Sequence, residues 1–285
     1  MKAEQLAKKY NTSFTLLEDG FIRSLGLGVT GSPSFSLVED DVGIYYDANV
    51  PSKLENILNT YDFKSNEVLM AKVSTAITLI QKYKISKYNS APKLTSSFIN
   101  KFELKGECSH NILIIAQTAG DASLEYGMLE PFTTDEIIDA AIHENPEAQV
   151  FLKVHPDVIS GKKSSDFNVK LAQERCTVID EEINPIALLE KFSKVYTKTS
   201  GMGFEALLIG CECVCFGMPF YAGWGITDDR SFCSRRTRNL SVAEVFAASY
   251  ILYTRYYNPY TKRQCDIVEA IEEIVRQRAA LKDEN

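Results

Sequence analysis

The chain has 285 residues, of which 45% are hydrophobic and 24% are charged, and its formal net charge is −7. This is the composition of a globular protein with one large domain or two medium ones. It excludes a membrane span, because no run of about 18 apolar residues occurs, and the negative charge argues against broad nucleic-acid binding while leaving room for a local basic pocket.

The N-terminal segment is polar and lacks the apolar core of a signal peptide. The seven cysteines are scattered, except for Cys211, Cys213 and Cys215 in an apolar stretch. Their spacing favours buried, reduced strand cysteines over a metal cluster, which would need flanking ligands and turns. We therefore expect a cytoplasmic protein.

The first hundred residues mix short strands with helices. The pattern predicts a helix end in the first dozen residues, a strand at SFTLL, and two alternating strands at FSLVED and VGIYYD with a turn at Asp40 and Asp41. It then predicts a helix from Pro51 to Leu58, a longer one from Val68, and a linker over residues 87–93.

A different pattern begins at Asn111, where strands and helices alternate. The predicted strands are NILIIAQ, QVFLKVH, CTVID, KVYTKTS and CECVCFG, and the predicted helices are 134–143, PIALLEKF and GMGFEALLIG. Such alternation is the signature of a parallel sheet covered by helices. Two helices are predicted after Ser241, and Ile267, Ala270, Ile271 and Ile274 form an apolar stripe that we expect to pack on the N-terminal region.

Polar segments follow several of these strands. They are residues 117–123, 155–157 and 199–201. Because ligands of parallel α/β sheets bind outside the carboxyl ends of the strands, we expect these segments to meet in one crevice.

The stretch TSGMGFE places a hydroxyl and two glycines where a strand gives way to a helix. Backbone N–H groups at a helix start can hold an anion, so Ser200 and the helix start at Gly203 are candidates for binding a phosphate. Glu205 could accept hydrogen bonds from a ribose. Simple helix capping by Ser200 is the alternative.

His155 ends an apolar strand, and Lys153 lies two residues before it on the same face. Together with the helix start they could bind a departing phosphate, to which His155 would donate a hydrogen bond or a proton. A structural histidine is the alternative interpretation.

Carboxylates flank the same crevice. Asp121 could attack an anomeric carbon, or it could merely close an Asx-turn after Gly120. In LEDGFIRSLGLG, Glu18 or Asp19 could act as the general base that deprotonates an acceptor hydroxyl. Arg23 could bind the carboxylate of a ligand. A solvated turn is the alternative for this loop.

Several stretches of the chain resemble capsule-polysaccharide biosynthesis proteins of the KpsC type, which are β-Kdo glycosyltransferases. In chain order they are LEDGFIRSLGLG, GIYYDA, QTAGDASLEYG, KVHPDVISGKK, VYTKTSGMGFEALLIG, VCFGMPFYAGWGITDDR and ILYTRYYNP. They cover most of the chain, and the FGMPFYAGWG stretch is very specific. The QTAGDASLEYG stretch is more similar to the first transferase module of the long capsule proteins than to the second.

The resemblance implies an α/β fold of the two-domain GT-B type and a retaining transfer of Kdo from CMP-β-Kdo to a lipid-linked or Kdo-terminated acceptor. It implies that Asp121 forms the covalent sugar adduct, that His155 serves the CMP phosphate, and that Glu18 and Asp19 lie near the acceptor. No metal and no cofactor beyond the donor substrate are expected. Arg23 or Lys162 would offset the carboxylate of Kdo.

The family pattern also sets the expected organisation. We expect an acceptor-side domain over residues 1–107, a donor-binding Rossmann-like domain over 108–240, and helices over 241–285 that return to the first domain. Only 17 residues precede Glu18, so the first domain is expected to be truncated. We expect a location in the cytoplasm and peripheral to the inner membrane, with a capsule assembly or export complex as partner. Two alternatives stay open: a non-catalytic or partial module that binds glycan or assembles the capsule machinery, and a transferase that uses another nucleotide sugar or a CDP-alcohol.

Overall fold

A computed structural model describes residues 2–26, 28, 31–104 and 110–283. The elements before residue 105 are helices α1 to α4 and two short strands: α1 (Lys2–Tyr10), β1 (Leu16–Asp19), β2 (Ser36–Asp40), α2 (Lys53–Thr60), α3 (Glu67–Tyr83) and α4 (Ser96–Lys101). Polar side chains set the helix starts, since Ser52 caps α2, Asn66 caps α3 and Thr95 caps α4. The α2 helix therefore starts two residues after the predicted Pro51.

Strands and helices alternate from residue 111 onward, as predicted. The elements are β3 (Asn111–Ile115), α5 (Ala122–Gly127), α6 (Thr134–Glu144), β4 (Gln149–Lys153), α7 (Pro156–Ile159), α8 (Val169–Gln173), β5 (Thr177–Ile179), α9 (Pro185–Leu189), β6 (Lys194–Thr197), α10 (Gly201–Leu208), β7 (Glu212–Cys215) and β8 (Asp228–Asp229). The α6 helix begins with a capping box between Thr133 and Glu136. The short α5 lies inside a segment whose sequence predicts only a polar loop.

The six strands β3 to β8 form one sheet in the order β5-β4-β3-β6-β7-β8 with every pair parallel. Successive side chains of β3 enter different cores: Leu113 and Ile115 belong to the larger one, and Ile112 and Ile114 to the smaller one. A strand buried on both faces is typical of a parallel sheet covered by helices. The predicted α/β fold with a parallel sheet is confirmed.

The remaining elements follow residue 240. They are α11 (Val242–Phe246), which continues as a π-helical segment (Ala247–Leu252), then β9 (Thr254–Asn258), β10 (Arg263–Gln264) and α12 (Ile267–Asp283). The prediction of two helices missed β9. This strand pairs antiparallel with β2, and a second sheet results in the order β1-β2-β9-β10.

The predicted strand at VGIYYD is wrong. Asp40 ends β2, and its Oδ1 accepts hydrogen bonds from the N–H groups of Val42 and Gly43, both at 2.9 Å. This turn directs the next residues away from the sheet, and the ring of Tyr45 packs against Phe21 with the centroids 5.0 Å apart. The segment VGIYYD therefore packs through its aromatic side chains instead of pairing as a strand.

The C-terminal helix packs back on the first part of the chain. All four residues of its predicted apolar stripe are at most 1% exposed, and α12 contacts α3. An ion pair between Lys72 on α3 and Asp266, with the charged atoms 2.8 Å apart, borders this contact. In the part of the chain that the structure describes, no helix combines the length and the apolar character needed to cross a membrane.

Candidate active site

The loops after β3 and β6 are tied together by side chains at the carboxyl edge of the large sheet. Gln117 Oε1 accepts from Thr199 N at 2.8 Å, and Gln117 Nε2 donates to Thr199 Oγ1 at 3.0 Å. Ser123 Oγ lies 3.0 Å from Thr199 Oγ1 as well. Since β4 is the other neighbour of β3, the segments predicted to meet at this edge do follow adjacent strands.

Asp121 stands at the N-cap of α5. Its Oδ1 accepts a hydrogen bond from Ser123 N at 2.9 Å, and the chain enters the turn through Gly120 at a φ of +76°. The side chain is partly exposed. This is the Asx-type geometry of the alternative interpretation, but a carboxylate has two oxygens with several acceptor positions. Capping therefore fixes the orientation of Asp121 and does not by itself prevent a second oxygen from meeting a ligand.

His155 follows β4 and keeps access to solvent. Its side chain is 39% exposed, and its Nδ1 accepts a hydrogen bond from Asp157 N at 3.1 Å. In a neutral imidazole the other nitrogen, Nε2, then carries the proton. Partial burial lowers the pKa of His155, while the nearby carboxylates of Asp157 and Asp121 act in the opposite direction. At neutral pH the ring is thus a neutral donor through Nε2.

Lys153 lies deeper than His155. Its amine donates to the carbonyl of Val154 at 2.7 Å, and the residue is 6% exposed. Burial lowers its pKa to about 8, although the carboxylates of Glu182 and Asp180 oppose this. An ammonium has three donors, so Lys153 can make further hydrogen bonds. Its positive charge also lies close enough to His155 to lower the pKa of that residue.

The helix after β6 starts at Gly201, where the predicted element GMGFEALLIG begins, and not at Gly203, which the sequence predicts as the helix start that binds a phosphate. Ser200 caps it by accepting from Met202 N at 3.3 Å, and apart from the adjacent residues and the helix's own backbone, nothing lies within 4 Å of the position where a side chain on Gly201 would begin. A side chain on Gly203 would instead collide with the hydroxyl of Tyr221. The glycine that leaves space at the helix start is therefore Gly201, while Gly203 permits the packing of Tyr221.

Glu205 points away from the helix start. The residue is 7% exposed, and its Oε1 accepts from Ser86 Oγ at 2.5 Å. Burial raises the pKa of Glu205 to about 7, although hydrogen bonds from Ser86 and Lys87 lower it. The structure places this carboxylate against residues 86–89 and not at an open crevice. Its contact with a ribose stays a prediction.

We expect Glu205 to make the stability of the protein depend on pH. Its pKa is raised from the ordinary 4.5 to about 7, so the folded state holds this proton more tightly than the unfolded state. The resulting stabilisation is complete below pH 4.5 and is lost as the pH rises through 7, by about 3 kcal/mol. Urea unfolding should be measured for both proteins at pH 5 and pH 8. Between these pH values the free energy of unfolding of the parent should fall by about that amount relative to Glu205→Gln. An equal difference at both pH values would contradict this assignment.

Glu18 and Asp19 end strand β1, and both are partly exposed. Glu18 Oε1 accepts from Asp19 N at 2.9 Å, and Asp19 Oδ2 lies 2.7 Å from Arg23 Nε. Arg23 also donates through Nη1 to Ser24 Oγ at 2.9 Å and to the carbonyl of Ser32 at 3.0 Å. Arg23 thus stabilises this loop through hydrogen bonds and pairs with Asp19. Because its guanidinium is already bound, it is less available for a substrate carboxylate than predicted.

Two tyrosines show that these carboxylates share one region. Burial raises the pKa of Tyr46, and the charges of Glu18 and Asp121 raise it further. Burial likewise raises the pKa of Tyr88, with Asp19, Glu18 and Asp157 adding to it. Acids at the end of β1 therefore lie near acids from the loops after β3 and β4.

Lys162 is exposed in the turn after α7, where its N–H donates to the carbonyl of Asp157 at 2.9 Å. Its neighbour Lys163 lies closer to the histidine: the amine is 3.9 Å from Asp157 Oδ2, and its charge lowers the pKa of His155. The described residues contain no group of three or more His, Cys, Asp or Glu side chains that could hold a metal ion.

Sequence reasoning missed a buried ion pair beside the site. Lys198 Nζ lies 2.6 Å from Asp166 Oδ2, with side-chain exposures of 11% and 12%, and Thr134 Oγ1 donates to the same oxygen at 3.0 Å. The pair fastens the loop after α7 to the end of β6. Lys198 directly precedes the predicted TSG segment, but no sequence spacing indicates Asp166 as its partner.

A family model described as "Capsule polysaccharide biosynthesis protein" matches residues 1–256. Among curated relatives, the capsule polysaccharide modification protein LipA of Neisseria meningitidis serogroup A (strain Z2491) is 40% identical over 292 residues. That match covers 99% of this chain but only 41% of LipA. The lipopolysaccharide-processing protein LpsZ of Rhizobium meliloti is 36% identical over 254 residues, which cover 89% of this chain and 57% of LpsZ.

Two solved structures of KpsC from Thermosulfurimonas dismutans are also similar. The one titled beta Kdo 2,4 transferase has a TM-score of 0.86 and 42% identity, covering 96% of this chain and 83% of that one. The one titled beta Kdo 2,7 transferase has a TM-score of 0.72 and 29% identity, covering 95% and 82%.

Proposed function

The chain belongs to the capsule polysaccharide biosynthesis protein family, and we propose that it transfers Kdo from CMP-β-Kdo to a lipid-linked or Kdo-terminated glycan acceptor with retention of configuration. The observation that carries this proposal is that Asp121 and His155 follow the adjacent strands β3 and β4, with Asp121 close enough to raise the pKa of His155, while Glu18 at the end of β1 and Asp121 both raise the pKa of Tyr46. The greater identity with the 2,4 transferase than with the 2,7 transferase supports a 2,4 linkage.

The proposed architecture is of the GT-B type, with the donor bound by residues 108–240 and the acceptor by residues 1–107, and with residues 241–285 returning to the first part. This division is supported by the charges of Glu18 and Asp19 at the end of β1, which act on Tyr46 and Tyr88 together with those of Asp121 and Asp157 from the loops after β3 and β4.

His155 and the start of α10 are proposed to bind the phosphate of CMP. The Nε2–H of the neutral His155 would donate to a phosphate oxygen, and the open side of Gly201 would let a second oxygen approach the backbone N–H groups at the helix start. The buried amine of Lys153 would add positive charge. Each of these interactions strengthens as the phosphate gains negative charge on leaving, so they favour the transition state.

Asp121 is proposed to be the nucleophile. Its carboxylate oxygen would attack the anomeric carbon of Kdo while the bond from that carbon to the CMP phosphate breaks, and the electron pair leaves with CMP. An acceptor hydroxyl would then attack the same carbon and release Asp121, giving up its proton to Glu18 or Asp19. Two inversions restore the original configuration.

Binding of the acidic sugar needs a cation near its carboxylate. Arg23 is bound by Asp19, Ser24 and Ser32, whereas Lys162 is exposed. Lys162 is therefore the better-placed of the two candidates.

The protein is proposed to act on the cytoplasmic side, peripheral to the inner membrane, and within a capsule assembly and export complex.

Binding of CMP tests the donor site. We expect calorimetry to show CMP binding that a chelator leaves unchanged, and His155→Ala to weaken it about ten- to hundred-fold, because a hydrogen bond to a charged group is worth about 1.5–3 kcal/mol. His143→Ala, at an exposed histidine on α6, is the matched control and should bind as the parent does. Preference for UDP or CDP over CMP would favour a transferase with another donor, and unchanged binding by His155→Ala would exclude this site.

A further inference from the structure

Glu205 is bound to a segment outside the large sheet, the Ser86 loop (residues 86–89). Ser86 Oγ donates to Glu205 Oε1 at 2.5 Å, and both residues are at most 7% exposed. The loop is internally braced, since Asn89 Oδ1 accepts from Ser86 N at 3.0 Å and Asn89 Nδ2 donates to Ser86 O at 2.8 Å. The loop overlaps the predicted linker of residues 87–93, but its end residues Ser86 and Asn89 are buried.

The same loop holds the acid loop, defined as residues 18–25. The carbonyl of Lys87 accepts from Arg23 N at 3.0 Å and from Ser24 N at 3.3 Å. Asn89 donates through Nδ2 to Ser24 O at 3.0 Å and through its N–H to Leu25 O at 2.7 Å. Arg23 in turn pairs with Asp19. A change in the position of the Ser86 loop would therefore be transmitted to the acids.

At its other end the connection reaches the donor site. Glu205 lies on α10, the helix that Ser200 caps and whose first residue, Gly201, has open space beside it. The helix is only two turns long, so a rotation that moves Glu205 also moves the backbone N–H groups at its start. Direct contacts thus run from the start of α10 through Glu205 and Ser86 to the acid loop.

We propose that Glu205 is a positioning residue whose hydrogen bond to Ser86 sets the acid loop in register with the start of α10. This inference rests on the proposed function, which places the donor phosphate at α10 and the acceptor at the acid loop. Glu205 would then act without touching the substrate, in contrast to the ribose contact that its sequence position predicts.

The surroundings of Glu205 agree with an internal role. The groups that face it are the Ser86 hydroxyl, the N–H and charge of Lys87, and the phenol of Tyr250. Tyr250 belongs to the π-helical segment 247–252 and is 4% exposed. The carboxylate is enclosed between three elements of the chain, and this geometry holds the two sides of the proposed crevice together.

Hydrogen exchange measures the coupling without requiring turnover. When CMP binds, the amides of Arg23 and Ser24 should exchange about ten-fold more slowly, because ordering α10 stabilises the Ser86 loop that accepts their hydrogen bonds. In Ser86→Ala this protection should disappear, while the Kd for CMP stays within about two-fold of the parent. Ser86→Thr, which keeps the hydroxyl, should restore it. Ser249→Ala removes another buried hydroxyl, one that donates to Val245 O at 2.7 Å, and should behave as the parent.

Kinetics provide the second measurement. With CMP-Kdo and acceptor, Ser86→Ala should lower kcat or raise the acceptor KM about ten-fold and leave the donor KM unchanged, since small misplacements of reacting groups cost rate. Absence of CMP-dependent protection in the parent, or Glu205→Gln weakening CMP binding ten-fold, would overturn the inference. Protection in a parent that transfers no Kdo would overturn the proposed function and leave the coupling standing.

Discussion

Asp121→Asn is expected to lower the rate of Kdo transfer about 10³-fold or more while CMP binding stays within a few-fold of the parent. An amide oxygen cannot form the covalent intermediate, whereas the nucleotide is bound by other groups. The variant should remain folded, because asparagine is as good an N-cap as aspartate and its Oδ1 can accept from Ser123 N as Asp121 does. Single-turnover transfer with calorimetry on the same samples would measure both quantities.

Asp62→Asn is the matched control for this variant. Asp62 also closes a turn, with its Oδ1 accepting from Ser65 N at 3.3 Å, but it lies before α3 and outside the proposed site. It should transfer Kdo at the parental rate. If Asp121→Asn did the same, Asp121 would be a capping residue only.

Glu55→Ala is expected to destabilise the protein by about 3–5 kcal/mol. Glu55 on α2 is the carboxylate partner of two arginines: its Oε1 lies 2.7 Å from Arg235 Nε, and its Oε2 lies 3.3 Å from Arg236 Nε. The Arg236 side chain is only 3% exposed, so the substitution would leave a buried charge without its carboxylate. The pairs also join α2 to the segment after β8.

Glu39→Ala offers the matched comparison. Glu39 pairs with Arg255 at 2.7 Å, but the two side chains are 42% and 71% exposed, and an exposed pair is worth about 1 kcal/mol or less. Urea unfolding should therefore separate the two variants clearly. A loss below about 1 kcal/mol for Glu55→Ala would mean that Arg236 is satisfied by its other contacts, the carbonyls of Pro219 and Ala222.

The parallel sheet was predictable because its strands are short apolar runs separated by helix-period segments, a local signal that burial on both faces imposes. The second sheet was not. Strand β9 alternates in burial, with Tyr256 inside and Tyr257 47% exposed, yet its partner β2 lies more than two hundred residues earlier. The sequence of VGIYYD also predicts an alternating strand, but the segment pairs with no strand in the described structure, and its burial does not alternate. Pairing over such a separation is decided by tertiary contacts that a local pattern does not contain.

The candidate site was likewise predictable only in part. Asp121, His155 and Ser200 could be placed because each follows a predicted strand, and the edge of a parallel sheet gathers such residues. Glu205 and Gly203 differ from expectation because their surroundings come from Ser86 and Tyr221, at distant positions in the chain. Sequence position indicated which element carries each residue, but not which way a residue on α10 faces.

Intact-protein mass spectrometry of the chain after incubation with CMP-Kdo tests the central claim most directly. With a poor acceptor, or none, the second step is slow, so the parent should accumulate a single Kdo adduct that maps by peptide analysis to Asp121 and that Asp121→Asn lacks. Addition of a good acceptor should discharge it. An adduct on Glu18 or Asp19, or an equal adduct in Asp121→Asn, would contradict the account.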